Sequence, residues 1–251
     1  MKVEEINPYQ QEGEKGRQIE QMFDSIAPSY DFMNTAMSFG LHKRWRNVAL
    51  KRAIASMSAN SQGAAGDILD VATGTGDVAI KLARLLPESM VTGIDLSEGM
   101  LNEARKKAET LPSTLSRRLT FGKADCLMLP YHDDAFAMVT VAYGVRNFSD
   151  LRRGISEMRR VIAPGGVLCI IELSSPQGKV TKGLYNVYSR RIIPALGRMV
   201  SKDTRAYSYL PESIAACPQR DEMAALLKEC GFTHVEWKSL SFGAVTYYIA
   251  K

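Results

Sequence analysis

Ile68-Leu69-Asp70-Val71-Ala72-Thr73-Gly74-Thr75-Gly76-Asp77 lies about a quarter of the way along the 251-residue chain and reads as two pieces of backbone. Residues 68–72 have the apolar composition of a buried strand, and Thr73 to Asp77 have the composition of a glycine turn. The next stretch, 78–86, repeats its apolar side chains at helical spacing and stops at Pro87. A strand that passes through a glycine turn into a helix brings backbone N–H groups against a ligand at a helix N-terminus. Downstream the rhythm repeats, with a strand at 91–95, a helix at 97–109 and strands at 119–122 and 135–142. This alternation predicts an α/β fold on a mostly parallel sheet with helices on both faces.

Further along, Leu151, Ile155, Met158 and Ile162 line one side of a predicted helix while Arg152, Arg153, Arg159 and Arg160 take the other. Pro164-Gly165-Gly166 then turns into a strand at 167–171. After Glu172 the rhythm lapses until a helix at 221–230, closed by Gly231, and strands at 234–238 and 245–249. At the other end, Ile19, Met22, Phe23 and Ile26 mark a helix that Pro28 ends. One domain is therefore expected, with a helical cap over 1–60, a ligand-binding core over 67–174, an inserted lid over 175–219 and a closing helix and strands over 220–251.

Hydrophobic residues at 45% and charged residues at 24% supply a core and exclude disordered and fibrous classes. A net charge of +5 permits a nucleic acid or an anionic surface without requiring either. The concentrated basic residues (Lys179, Lys182, Arg190, Arg191, Arg198, Lys202, Arg205) sit among the aliphatic side chains of the 175–219 excursion. That mixture suits a lid that docks on a lipid surface better than a nucleic-acid groove. Cys126, Cys169, Cys217 and Cys230 form no Cys-x-x-Cys and the three histidines are scattered, so neither a metal centre nor a disulfide framework is expected. The first residues carry no apolar signal core and no apolar run has the length of a membrane span, so the expected location is the cytoplasm.

Gly74, Thr75 and Gly76 form the turn, and Asp95 ends the next strand 19 residues after Gly76, where a carboxylate accepts the hydroxyls of an adenosine ribose. Two cofactors fit that pair, a nicotinamide dinucleotide and S-adenosylmethionine. Asp70 at the end of the first strand would repel a pyrophosphate but attract the amino group and sulfonium of S-adenosylmethionine. Asp125-Cys126, after the third strand, places an acid beside the adenine.

The arrangement resembles the class I S-adenosylmethionine-dependent methyltransferases, with Asp70, Gly74 and Gly76 in place and Ala72 where the first motif glycine is usual. Two stretches resemble the C-methyltransferases of menaquinone and ubiquinone synthesis more specifically. One is Tyr30-Asp31-Phe32-Met33-Asn34 followed by Met37-Ser38, His42 and Trp45; the other is Arg160-Val161-Ile162-Ala163-Pro164-Gly165-Gly166 running to Glu172-x-Ser174, with Ala163 replacing the usual lysine. Gly144-Val145-Arg146-Asn147 and Tyr207-Ser208-Tyr209-Leu210-Pro211-Glu212-Ser213-Ile214 add to the likeness. The resemblance implies a seven-stranded Rossmann-like sheet and methyl transfer to a ring carbon of a polyprenyl hydroquinone, naphthoquinol or benzoquinol. It also implies a metal-free reaction, because charge is annihilated as a phenolate-activated carbon attacks a sulfonium methyl. Within these motifs His42 is a candidate base titrating near neutrality or a helix-face histidine. Asp31 is a candidate base, an orienter of Tyr30 or an N-cap. Arg146 and Asn147 are candidates for holding the quinol oxygens or for ion pairing.

Overall fold

A computed structural model describes residues 2–9, 14–57, 66–178, 181, 183 and 205–251. Its centre is a seven-stranded sheet of β1 (Ile68–Val71), β2 (Val91–Asp95), β3 (Leu119–Lys123), β4 (Phe136–Ala142), β5 (Ile162–Leu173), β6 (Val235–Leu240) and β7 (Val245–Ala250). The spatial order is β3-β2-β1-β4-β5-β7-β6, and only β7 runs antiparallel to its neighbours. The chain steps outward from β1 through β2 to β3 and then returns to place β4 on the other side of β1. The order therefore reverses between β1 and β4, and in open α/β sheets ligands bind beyond the carboxyl ends of the strands at such a reversal.

Nine α-helices are seen among the described residues: α1 (Lys15–Ile26), α2 (Tyr30–Ser38), α3 (Leu41–Ser56), α4 (Asp77–Leu85), α5 (Glu98–Glu109), α6 (Ser113–Ser116), α7 (Leu151–Val161), α8 (Arg205–Ala216) and α9 (Asp221–Glu229). Successive strand residues face opposite sides, so Ile68 and Met138 join one core with Ala49, Leu50 and Ala53 of α3 and Val78 and Leu82 of α4. Leu69, Val71, Val139 and Val141 join the other with Ile155 and Met158 of α7 and Met223 and Leu227 of α9. Leu151, Ile155 and Met158 of the expected stripe are buried on α7 while Ile162 instead opens β5, and Asp150 caps that helix by accepting from the Arg153 N–H at 2.9 Å. A third cluster joins Ile19, Met22 and Ile26 of α1 to Met33 of α2, Met100 of α5 and Tyr209 of α8, over the carboxyl end of the sheet.

α1 stops at Ile26, two positions before Pro28 as expected, and a 3-10 turn, Ala27–Ser29, leads on into α2. Two local expectations change. The 1–60 stretch is not all cap, because α3 lies directly on the sheet. The turn at Pro164-Gly165-Gly166 is absorbed into β5, with a register shift opposite Phe136 and Met138 and Gly165 at φ 80°. Of the expected lid, α8 is described; Lys179, Lys182, Arg190, Arg191, Arg198 and Lys202 fall outside the described residues.

Candidate active site

Two adjoining cavities open at the sheet's reversal point. The larger, about 420 Å³, is walled by α2, α3, the glycine turn, the segment after β4 and α8, and most of its lining is apolar. The smaller, about 80 Å³, lies at the ends of β1 and β2 and beside the segment after β3, and includes Asp95, Asp125, Cys126 and Phe148. Tyr30, Gly74, Tyr143 and Asn147 line both.

Between them stands the glycine turn. Gly74 (φ 56°) and Gly76 (φ 78°) both occupy the left-handed region, and a Cβ at Gly76 would stand 2.9 Å from Ala104 Cβ. Asp95 braces the turn, accepting from the Gly74 N–H at 2.8 Å and the Ser97 N–H at 2.9 Å. One oxygen is engaged by each donor, which leaves a lone pair on each for a ribose hydroxyl. Asp70 accepts from Thr73 Oγ1 and Thr140 Oγ1, both at 2.6 Å. Burial pushes both carboxyls up to about 6, against the hydrogen bonds they accept. A buried carboxylate gains from a cationic ligand, which fits the ammonium and sulfonium of S-adenosylmethionine. Asp125 is exposed at the far end of the small cavity and accepts from the Leu127 N–H at 2.9 Å, while burial raises the Cys126 thiol.

On the larger cavity's wall, Arg146 sits in a 3-10 turn, Val145–Asn147, after β4. Its Nη1 pairs with Glu172 Oε1 at 2.7 Å and also donates to the Tyr143 carbonyl. Both side chains are under a tenth exposed, so the ion pair, the alternative to holding the quinol oxygens, is internal rather than on the surface. Asn147 Oδ1 accepts from Tyr209 Oη at 3.2 Å, which ties α8 to this turn. Among the described residues, two buried side-chain polar atoms have no hydrogen-bond partner, Tyr143 Oη and Arg146 Nε. Tyr143 also holds a left-handed backbone at φ 61°, a conformation costly for an aromatic residue. Orphaned polar groups and strain gathered in one wall mark a place that a ligand completes.

The candidate bases come out differently. His42 is buried and its Nδ1 lies 2.6 Å from Ser38 Oγ. Burial, then the nearby Arg46, lower its pKa to about 4, so it does not titrate near neutrality as its motif suggested. Asp31 is not an N-cap: it lies in the first turn of α2 and uses both oxygens, Oδ1 accepting from Thr75 Oγ1 at 2.6 Å and Oδ2 pairing with Lys107 Nζ at 2.5 Å. The Tyr30 ring covers the turn, since a Cβ at Gly74 would stand 3.9 Å from its Cε1, and burial raises its phenol.

A model of the ubiE/COQ5 methyltransferase family matches residues 10–251. The chain belongs to that family. It is 42% identical over 247 residues to the demethylmenaquinone methyltransferase of Bacteroides fragilis, covering 98% of this chain and 97% of that one. It is also 42% identical over 236 residues to the ubiquinone/menaquinone biosynthesis C-methyltransferase UbiE of Geobacter sulfurreducens, covering 94% and 88%. Among solved structures, the Haemonchus contortus phosphoethanolamine N-methyltransferase 2 in complex with S-adenosyl-L-methionine matches with TM-score 0.56 at 16% identity, over 82% of this chain and 51% of that one. The [4+2]-cyclase SpnF matches with TM-score 0.54 at 19% identity, over 94% and 95%. These two likenesses concern the fold, and a cyclase among them shows that chemistry must be argued from the site.

As a ubiE/COQ5 family methyltransferase, the chain places its motif residues Tyr30, Asp31, His42, Arg146 and Asn147 on the larger cavity with Asp70, Gly74 and Thr75, and Gly74 also lines the smaller cavity with Asp95, Asp125 and Cys126. Four further residues were not singled out as site residues in the sequence. Arg46 lines the larger cavity one position beyond Trp45 and pairs with Asp77 at 2.8 Å. Tyr143 immediately precedes the Gly144-Val145-Arg146-Asn147 motif, which was its only available signal. Glu172 and Lys107 come from distant parts of the chain, and only folding brings them to Arg146 and Asp31. Among the described residues no cluster of three or more His, Cys, Asp or Glu could hold a metal, and no helix is long and apolar enough to cross a membrane.

Proposed function

We propose that this methyltransferase moves a methyl group from S-adenosylmethionine to a ring carbon of a polyprenyl hydroquinone, with demethylmenaquinol as acceptor and menaquinol as product. The observation that carries the reading is a largely apolar cavity of about 420 Å³, joined to the glycine-turn cleft and walled by two unpartnered buried polar atoms. A fused aromatic ring with the first part of its prenyl chain suits such a volume. The full-length relatives named demethylmenaquinone methyltransferase support the naphthoquinol over the benzoquinol.

S-adenosylmethionine supplies an electrophilic methyl carried on a sulfonium. Asp95 and Asp125 suit its ribose and adenine, and Asp70 its positive charge. A hydroquinone becomes nucleophilic at carbon when a neighbouring hydroxyl gives up its proton. Arg146 favours that ionised oxygen by its charge and Tyr143 by donating a hydrogen bond, and Glu172 keeps the guanidinium oriented. Met33, Met37, Leu173 and Ile214 keep water from the ring. The hydroxyl proton leaves to solvent, the new C–C bond forms as the S–CH3 bond breaks to leave neutral S-adenosylhomocysteine, and the ring carbon's proton then moves to the oxygen to restore the aromatic hydroquinone, with one proton released overall. A polyprenyl acceptor resides in a bilayer, and the exposed Phe39 and Leu41 on the cavity's rim support a peripheral encounter with a membrane surface.

The test is the purified protein with S-adenosylmethionine and demethylmenaquinone, chemically reduced or left oxidised, followed by mass spectrometry. One ring methyl is expected on the reduced acceptor only, with activity surviving chelators. No methylated product from the quinol would overturn the proposal.

A further inference from the structure

Lys107, in the last turn of α5, lines neither cavity, yet its ammonium connects the two sides of the site. Its Nζ donates to Thr75 Oγ1 at 2.9 Å and Asp77 Oδ1 at 2.7 Å and pairs with Asp31 Oδ2 at 2.5 Å. An ammonium has three N–H bonds, so all are engaged. Thr75 Oγ1 in turn donates to Asp31 Oδ1 at 2.6 Å, and the second oxygen of Asp77 accepts from Arg46 Nη2 at 2.8 Å. The resulting network runs through α2, the glycine turn, α4, α5 and α3. Asp77 is held below the usual carboxylate range because Arg46 and Lys107 outweigh its burial.

The position of α2 gives this network a consequence. With Asp31 on Thr75 and Tyr30 over Gly74, the first turn of α2 lies across the segment that holds the donor. A ligand seated on that turn is covered from that side by the first turn of α2. The Lys107 and Asp31 side chains remain 28% and 44% exposed, so their attraction is partly screened by solvent and salt. Such a contact biases a closed state without locking it.

We infer that Lys107 is a positioning residue that latches α2 over the glycine turn, and that this latch sets how fast S-adenosylhomocysteine, the demethylated donor, leaves. The inference rests on the reading of the turn as the S-adenosylmethionine site and makes no use of the acceptor's identity. Sequence spacing gives no hint of it, since Lys107 and Asp31 lie 76 positions apart.

The experiment follows release of S-adenosylhomocysteine from the full chain by stopped-flow trapping, with hydrogen exchange of residues 30–38 in the bound state. Lys107→Met should speed release on the order of tenfold and raise exchange in α2, and Lys107→Arg should recover part of the loss. Asp31→Asn, a near-isostere that serves if the methionine variant folds poorly, should act in the same direction. The double variant should release no faster than the faster single variant, because both break one contact. Salt at about 0.5 M should accelerate release from the unsubstituted protein but not from Lys107→Met. Lys106→Met, which removes a neighbour paired with Glu103, should change nothing. Unchanged release from Lys107→Met, or rate effects of the two single variants that multiply, would overturn the latch while leaving the donor site standing. Failure of the unsubstituted protein to bind S-adenosylhomocysteine in calorimetry would overturn both.

Discussion

Replacing Glu172 by alanine removes the anion that balances Arg146 at the wall of the larger cavity. The two side chains are 4% and 7% exposed, so the relevant energetics are those of an interior pair, which loses about 3–5 kcal/mol when one partner is deleted. Three hydrogen bonds disappear with the carboxylate: Arg146 Nη1 at 2.7 Å, the Arg146 N–H at 3.3 Å and the Leu173 N–H at 2.8 Å. Their cost is largely contained in that figure, because the uncompensated guanidinium dominates it. Against a total stability of about 5–15 kcal/mol, a loss near 4 kcal/mol should leave the variant partly unfolded at modest urea concentrations. Glu172→Gln keeps the shape and one acceptor and should cost about 1.5–3 kcal/mol. The pair Arg146→Met with Glu172→Leu should recover most of the stability, without activity, since replacing a buried ion pair by apolar side chains is often neutral. Equilibrium urea denaturation followed by circular dichroism measures all three. A loss under about 1 kcal/mol for Glu172→Ala, the value of a surface pair, would refute the assignment of this contact as the internal brace of the site.

Asp70 and Asp95 reach about 6 in the fold from an ordinary 3.8, so each costs the unliganded protein stability that is absent at low pH and grows as pH rises through that window. A bound cation favours their ionised forms, so the S-adenosylmethionine-induced rise in Tm should be larger at about pH 7.5 than at about pH 5; equal rises would contradict this. His42, held at about 4, should contribute no inflection between about pH 6 and 8, so His42→Asn should leave the shape of the pH–rate profile intact there even if kcat falls. Gly76→Ala must fit a Cβ 2.9 Å from Ala104 Cβ and 3.0 Å from Phe121 Cζ at φ 78°, so it should cost about 1–3 kcal/mol in denaturation and weaken S-adenosylmethionine binding in calorimetry.

Much of the architecture was legible because it is written locally. The strand before Gly74, the glycine turn itself, the Ser97-capped helix and the apolar stripe of α7 each depend on residues a few positions apart, and the structure places them where the periodicity did. Pro28 ended α1 as read, although a 3-10 turn carries the chain straight on into α2. Pro164-Gly165-Gly166 did not interrupt the strand: a breaker disfavours one conformation without dictating the alternative, and a register shift against β4 absorbed it.

The sequence by itself determined the fold class, the place of the glycine turn and the residue types grouped around it, since backbone preference and hydrophobic period are properties of neighbouring residues. Only the tertiary structure decided what those residues do. It placed Asp31 between Thr75 and Lys107, where its motif had left base and cap open. Burial and Arg46 carried His42 away from neutrality, and Glu172 pairs internally with Arg146 in the wall of a cavity, where the motif had left ligand contact and ion pairing open. Each of these outcomes depends on the charge, dielectric and partners that long-range packing brings to a side chain, and none is encoded in the residues beside it.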